Sequence, residues 1–151
     1  MQEKLQKNGK QEASNQILSG EGFPDGNAKG EVIKVRRLEL DLGKKGLFLS
    51  CEPRKIIVAQ ELLAIDGASF AIRAFLMSEN VEHLLPKAIL LEKCNVELLN
   101  GLVAAESGKP NIVLPIYVWD VRSELLNRIE NGETLEIKVK QHKAIIHRLS
   151  K

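Results

Sequence analysis

The chain has 151 residues, of which 44% are hydrophobic, 28% are charged and only 4% are aromatic. This composition is typical of a soluble globular protein, and the length suits one domain with an aliphatic core. Two cysteines are too few for a disulfide framework, no stretch approaches the ~20 apolar residues of a membrane helix, and a net charge of +2 does not by itself imply a nucleic-acid or membrane partner.

The N-terminal residues predict a flexible polar tail. Residues 1–16 are rich in Gln, Lys, Glu and Asn, and they cannot bury enough surface to offset the entropy of ordering. We place this tail at residues 1–19 and a single α+β domain at residues 20–151. Because the N-terminus also lacks the apolar core of a signal peptide, we predict a cytoplasmic protein whose Cys51 and Cys94 are free thiols.

A loop and a hairpin are predicted next. Residues 20–30 contain four glycines without the Gly-Lys-Ser/Thr of a phosphate loop, which favours a linker. In residues 31–42 the apolar positions alternate, and their parity reverses near Arg36-Arg37, where we predict a bulge. A turn at residues 43–46 then leads to a return strand at residues 47–51.

Residues 52–77 allow two conformations. Asp66-Gly67 is typical of a type I′ turn, which favours a hairpin of residues 56–65 with residues 69–76. Alternatively, Pro53 opens a helix, and helix remains the alternative on both sides of the turn. We prefer the hairpin.

The following region is predicted to be helical. Ser78 is a candidate N-cap for a short helix that ends at Pro86. Residues 87–106 are expected to form a longer helix with a break at Asn95. Gly101 in its interior costs about 1 kcal/mol relative to Ala, so it should either pack closely or bend the helix.

A strand and a helix are predicted after that. The β-branched run of residues 111–119 indicates a strand, and Pro115 within it predicts an edge strand or a bulge. Asp120 is a candidate N-cap for a helix over residues 121–131, because a carboxylate can accept the free N–H groups of a first turn.

The chain should finish as a hairpin. Leu135, Ile137 and Val139 alternate with polar residues, which indicates a strand with one wet face. Gln141-His142 forms a plausible turn, and residues 144–149 provide the partner strand.

These elements predict an α+β fold in which a mostly antiparallel sheet of hairpins packs against two or three helices. The strand order does not follow from the sequence. The predicted core consists of Ile33, Val35, Leu40, Leu47, Leu98, Leu102, Val113, Ile116, Val118, Leu125, Ile129, Ile137, Val139 and Ile145.

No catalytic or metal-binding constellation is evident. His142 and His147 lie five positions apart on a turn and strand, an odd spacing that puts strand side chains on opposite faces, and neither cysteine belongs to a Cys-x-x-Cys pair. We therefore predict no catalytic residue, no metal site and no cofactor, and we lean against an enzyme. If the chain is an enzyme, Cys51 or His83 would be the first candidates for a chemical role.

Charge placement is the one patterned feature. Residues 78–106 contain five glutamates against two lysines, whereas the predicted hairpins carry basic residues. A positive sheet face could follow phosphates, although lysines on exposed strands also prevent aggregation without binding anything, and the strands lack aromatics for stacking bases. The candidate partner-binding residues are Lys34, Arg36, Lys138, Lys140, Lys143 and Arg148.

Our leading hypothesis is a non-enzymatic binding or assembly module whose basic hairpins contact an anionic partner, nucleic acid being one candidate. One alternative is a protein–protein scaffold or homo-oligomer subunit with no nucleic-acid role, since the basic and acidic regions could meet between subunits. Another is a small enzyme whose site is not visible in the sequence. No membrane partner is expected.

Two short segments resemble known families. The hexapeptide Asp41-Leu42-Gly43-Lys44-Lys45-Gly46 resembles the turn of cyclic-di-GMP-binding PilZ domains, with Gly43 in place of their serine. The helix and hairpin that contain residues 132–139 are similar in outline to half-domains of DNA sliding clamps. Because one match covers only six residues and the other pattern is generic, we assign no family.

Overall fold

The computed structural model describes residues 16–40, 47–48, 53–64 and 66–149. The strands and helices of these residues follow each other along the chain. They are β1 (Gln16–Phe23), β2 (Gly26–Glu39), β3 (Ile56–Leu63), α1 (Ala68–Leu76), a 3₁₀ turn (Glu82–Leu84), β4 (Ala88–Leu91), α2 (Val96–Gly108), β5 (Ile116–Trp119), the single-turn α3 (Ser123–Leu126), β6 (Thr134–Lys140) and β7 (Lys143–Arg148).

The strands close into a barrel in the order β1-β5-β4-β3-β2-β6-β7. Strands β2, β3, β4 and β5 run parallel to one another, and the remaining neighbours are antiparallel. The α+β class is confirmed, but the sheet is mixed, so the prediction of a mostly antiparallel sheet of hairpins is wrong. The physical reason is that α1 and α2 are crossover connections, which return the chain to start a parallel strand.

Two hydrophobic cores lie on opposite faces of the parallel strands. Val58 and Leu90 point into the barrel, whereas Ile57 and Ile89 pack against α1 and α2. Because both faces are covered, β4 and the first half of β3 are buried at every position and show no alternation.

Residues 52–77 contain a strand and a helix instead of the preferred hairpin. Asp66-Gly67 connects β3 to α1, and Gly67 has a φ of 87° immediately before the helix. Ile72 and Leu76 of α1 are buried at helical spacing against the second core. The hairpin prediction is therefore wrong, because packing on the sheet stabilises a helix after this turn.

The predicted helix over residues 87–106 begins as a strand. β4 occupies its first residues, and α2 starts after Asn95, whose side chain accepts a hydrogen bond from the Leu98 amide at 2.9 Å. The break at Asn95 is confirmed, with Asn95 as the N-cap. Ser78 is not an N-cap, since its hydroxyl donates to the Ala74 carbonyl at the end of α1.

Gly101 packs closely, which is one of its two predicted roles. A Cβ built on Gly101 would lie 2.6 Å from Cγ2 of Ile72, so only glycine allows α1 and α2 to approach this far.

The N-terminal part of the domain is more regular than predicted. β1 begins at Gln16, so its first four residues fall within the range predicted as tail, and the loop predicted over residues 20–30 is reduced to a turn at Pro24-Asp25. The β2–β3 ladder keeps the same register on both sides of Arg36, so it contains no bulge there. Of the predicted return strand, Phe48 forms an isolated antiparallel bridge with Leu40; residues 49–51 lie outside the described residues.

The strand and helix predicted over residues 111–131 are both shorter. β5 begins at Ile116, directly after Pro115, and it lies between β1 and β4, so it is not an edge strand. Helix α3 begins at Ser123, which is too late for Asp120 to act as its N-cap. The C-terminal hairpin of β6 and β7 is confirmed, with its turn at Gln141-His142.

Most of the predicted core is buried. Val113 and Ile145 are exceptions, because Val113 precedes β5 and Ile145 lies on the outer face of β7 between buried Ala144 and Ile146. Ile33, Val35 and Leu40 are partly buried, and the side chain of Leu125 lies outside the described set. No helix in the described ranges is long and apolar enough to cross a bilayer.

Candidate functional site

A cleft of about 390 Å³, lined by both apolar and charged residues, opens between β2, β3 and the turn of α3. It lies toward the carboxyl ends of the parallel strands, where proteins with parallel sheets commonly bind ligands. The residues that line it are Lys34, Val35, Arg36, Val58, Ala59, Gln60, Glu92, Ser123, Leu126 and Asn127.

The cations of the cleft come from one face of β2. Val32, Lys34 and Arg36 share a face because strand side chains alternate. Val32 is buried inside the barrel, whereas Lys34 and Arg36 are exposed. The same strand face therefore changes from apolar to cationic where β2 leaves the barrel interior.

The α3 segment forms the opposite wall, since it is anchored inside the barrel. Leu126 and Ile129 are buried among the interior residues. The backbone amide of Lys34 donates to Oδ1 of Asn131 at 2.9 Å, and Nζ of Lys34 lies 3.4 Å from the Asn127 carbonyl oxygen. These contacts hold both walls of the cleft in place.

The charged groups of the cleft are not paired with each other. Within the described ranges, Arg36 and Glu92 have no ion-pair partner, and the ammonium of Lys34 contacts only a backbone carbonyl. Neighbouring charges are paired, as in Arg37 with Glu61 at 2.8 Å. The cleft thus presents two cations and one carboxylate to whatever enters it.

The other four predicted cations lie elsewhere on the C-terminal hairpin. Lys138 is opposite Asn27, seven residues before Lys34 on β2, which corresponds to about 23 Å along an extended strand. Lys140 and Lys143 form the last pair before the hairpin turn, still further from the cleft. The six predicted residues therefore do not form one continuous face.

Three of these four cations have carboxylate partners. Lys143 pairs with Glu21 at 2.6 Å, and Lys138 lies 3.8 Å from Glu136. Arg148 binds the buried carboxylate of Glu133 and donates to the Arg128 carbonyl at 3.0 Å. These partners reduce the positive potential that the hairpin offers to a ligand.

The histidines and cysteines are not gathered into a site. His83 is exposed in the 3₁₀ turn and His142 is exposed in the hairpin turn, while His147 lies on β7. Cys51 lies outside the described residues. In the part of the chain that the structure describes, no group of three His, Cys, Asp or Glu residues could hold a metal ion.

A buried tyrosine organises the loop after β4. The Tyr117 hydroxyl accepts a hydrogen bond from the Asn95 amide at 2.7 Å, and burial raises the pKa of this phenol. Burial also raises the pKa of the neighbouring Cys94 thiol, which keeps it protonated and weakly nucleophilic at neutral pH. This arrangement supports the N-cap of α2 and not a thiolate nucleophile.

The N-terminus of α1 is occupied by a residue of the chain itself. Oε1 of Glu97 accepts a hydrogen bond from the Ser69 amide at 2.9 Å. A carboxylate at this position complements the positive end of the helix dipole, so an external anion would have to displace Glu97.

Sequence reasoning found Lys34 and Arg36 but missed the polar residues that complete the cleft. Ser123 and Asn127 are four residues apart, a spacing that places them on one helical face. Gln60 and Glu92 gave no comparable pattern, because their neighbourhood depends on the parallel pairing of β2, β3 and β4.

Solved structures with the same fold exist at low sequence identity. No family model and no curated protein matches the chain. A chain of an aconitase X (holo-form) from Thermococcus kodakaraensis has a TM-score of 0.64 and 17% identity, covering 88% of this chain and 98% of that one. A UPF0107 protein solved by NMR has a TM-score of 0.58 and 13% identity, covering 87% and 98%. At these identities the likeness concerns the fold alone.

Proposed function

We propose that this protein is a non-enzymatic binding module that takes an anionic group into the cleft between β2, β3 and α3. The observation that supports this proposal is the presence of two cations, Lys34 and Arg36, in one cleft without carboxylate partners among the described residues. Cations without such partners lose little by binding an external anion, because no existing ion pair has to be broken.

The cleft chemistry suits a small anion. The planar guanidinium of Arg36 can donate two parallel hydrogen bonds to a carboxylate or phosphate, and Lys34 adds a second positive charge. Gln60, Ser123 and Asn127 supply neutral polar groups that can orient a ligand. The volume of about 390 Å³ falls within the range of small-molecule sites.

The binding test compares a cleft variant with a variant of a distant cation. The ligand probes are inorganic phosphate and glutarate, titrated against the full chain while backbone amide shifts are followed by NMR. We expect Arg36→Gln to weaken binding roughly fivefold, with Lys140→Gln as the unaffected control. Binding should also weaken as salt is added, because salt screens exposed charges.

Two results would contradict the proposal. One is the absence of shifts near Arg36 with both probes at low salt. The other is an equal loss of affinity in Arg36→Gln and Lys140→Gln, since this would mean that the anion follows net charge and not the cleft. If a mixed RNA or DNA pool binds and both variants weaken that binding equally, the partner is a nucleic acid that contacts an extended surface.

An enzyme is the second candidate, and the fold likeness to aconitase X favours it. The alignment with that solved chain covers 98% of its length and 88% of this chain. An aconitase assay of the full chain, repeated with Arg36→Gln, tests this candidate directly. Turnover that the variant abolishes would replace the binding proposal, whereas no turnover by the full chain would argue against the enzyme.

Self-association is favoured by an apolar surface on α1. Phe70 of α1 is 80% exposed, and Leu63 at the end of β3, which is 48% exposed, lines a groove with Leu40 and Ala71. Light scattering over a range of concentrations, with Phe70→Ser as the variant, tests for pairing with a second copy. A monomer at every concentration would count against an assembly role.

A further inference from the structure

We infer that the ligand of the cleft is a small molecule that carries a negative group and a positive group. This inference rests on the proposed function, and it adds a role for Glu92. The carboxylate of Glu92 lines the same cleft as Lys34 and Arg36, yet within the described ranges it forms no ion pair with them.

The strand register shows how the opposite charges are kept apart. Arg36 lies between two β2 residues that pair with Ala59 and Glu61, so it is beside Gln60. Ala59 also pairs with Leu91, the last residue of β4, so Glu92, which follows directly, lies near Gln60 on the other side. The uncharged side chain of Gln60 therefore separates Arg36 from Glu92.

The spacing of the strands sets the scale of this separation. Neighbouring strands are about 4.8 Å apart, so the backbone of β2, which carries Arg36, and the end of β4, which Glu92 directly follows, are about 10 Å apart. A ligand that spans this distance can place a carboxylate at Lys34 and Arg36 and an ammonium at Glu92. The cations lie on β2 and Glu92 follows β4, with β3 between these two strands, so the opposite charges of the protein are kept available to the ligand.

Charge complementarity disfavours ligands that carry the same charge at both ends, so these should bind more weakly than a zwitterion. A ligand with negative charges at both ends would bring one of them to Glu92, and a ligand with positive charges at both ends would bring one to the cations. Repulsion of this kind gives specificity even when the attractive contacts are weak. Among ligands of equal length, a zwitterion is the best match for the cleft.

The test uses three probes of one chain length: glutarate, 5-aminopentanoate and pentane-1,5-diammonium. Each is titrated against the full chain at neutral pH and low salt, and dissociation constants are taken from amide shifts of the cleft residues. We expect 5-aminopentanoate to bind more tightly than either of the other probes. Contacts of this kind imply dissociation constants of about 1–10 mM, which this measurement covers.

The Glu92→Gln variant tests whether the Glu92 carboxylate binds the positive group of the ligand. Removing its charge should lower the affinity for 5-aminopentanoate and raise that for glutarate, changing their ratio roughly three- to fivefold. Glu79→Gln, an exposed glutamate outside the cleft, is the matched control and should leave the ratio unchanged. Unchanged amide spectra away from the cleft confirm that both variants are folded.

The outcomes distinguish failure of the zwitterion inference from failure of the proposed function. If glutarate binds at Arg36 at least as tightly as 5-aminopentanoate, or if Glu92→Gln leaves the ratio unchanged, the zwitterion inference is overturned while anion binding stands. If neither glutarate nor 5-aminopentanoate shifts the cleft residues, the proposed function fails, and the inference fails with it.

Discussion

Glu133 shows how strongly a single charge depends on its surroundings. Its side chain is 1% exposed, and its carboxylate binds the Arg148 guanidinium and accepts a hydrogen bond from the Glu130 amide at 3.0 Å. The Arg148 side chain remains 37% exposed, so water still reaches one member of the pair. The Glu133 carboxylate thus joins the segment after α3 to strand β7.

We predict that Glu133→Ala lowers the free energy of unfolding by about 2 kcal/mol. This loss is smaller than the full cost of breaking a buried ion pair, because water can reach the Arg148 side chain that is left behind. Urea unfolding followed by circular dichroism measures this loss. Glu136→Ala is the control, because its ion pair with Lys138 is exposed and should contribute less than about 1 kcal/mol. Equal losses in both variants would show that burial of Glu133 does not matter.

The Asp25 carboxylate links the turn at Pro24-Asp25 to the turn at Gln141-His142, and this link depends on pH. Its carboxylate accepts hydrogen bonds from the backbone amides of His142 at 3.1 Å and Gln141 at 2.8 Å. The bond from His142, followed by that from Gln141, lowers the pKa of Asp25. A lowered folded-state pKa means that the ionised group stabilises the fold above its unfolded-state pKa, and that this contribution is lost as the pH falls through the folded-state value.

For Asp25→Asn we therefore expect lower stability than the native chain at neutral pH, and a difference that is lost as the pH falls through the lowered folded-state pKa of Asp25. Urea midpoints of both proteins, measured at a series of pH values, provide the comparison. A difference that stays constant with pH would mean that the side chain acts through turn geometry and not through its charge.

At the scale of elements, the contact of α1 with α2 depends on the absence of a side chain. The position of Gly101 against Ile72 leaves no room for a methyl group, because the nearest atoms belong to the rigid, branched part of the isoleucine. Alanine would favour the helix by about 1 kcal/mol, but overpacking a core costs about 1–3 kcal/mol. The packing term should be the larger of the two.

We predict that Gly101→Ala destabilises the protein, by about 1 kcal/mol net. Asn100→Ala tests helix propensity without a change in core packing, since Asn100 is exposed on the same helix. This variant should be as stable as the native protein or more stable. Thermal unfolding of the two variants compares these effects. A stabilised Gly101→Ala variant would mean that the helices can separate without penalty.

Elements with a wet face were predicted best. The C-terminal hairpin follows from alternation between Leu135 and Val139. The break at Asn95 was also predicted, and the structure shows its cause, which is the capping of α2 by the Asn95 side chain. β4 was mistaken for a helix, because Ala88 to Leu91 is buried on both faces and carries no periodic pattern. Where burial is complete, only the neighbouring elements decide between strand and helix.

At the scale of the whole molecule, closure of the barrel depends on β1. This strand pairs with β5 on one side and with β7 on the other, so it joins the parallel strands to the C-terminal hairpin. Without β1 the barrel would have two unpaired edges, and its interior core would be open to water on that side.

Deletion of residues 1–23 should therefore abolish cooperative unfolding, whereas deletion of residues 1–15 leaves every described β1 ladder intact and is the control. Calorimetry of both truncated chains is the measurement. A cooperative transition without β1 would show that the other strands close a barrel by themselves.

By itself, the sequence determined the aliphatic core, the α+β class and the C-terminal hairpin, because these depend on local alternation and composition. It also singled out Lys34 and Arg36, which line the candidate cleft, although their role stays a prediction. Only the tertiary structure decided that the strands form a mixed, closed barrel and that Gln60 and Glu92 join Lys34 and Arg36. Parallel pairing brings together residues far apart in the chain, and no local pattern encodes which strands become neighbours.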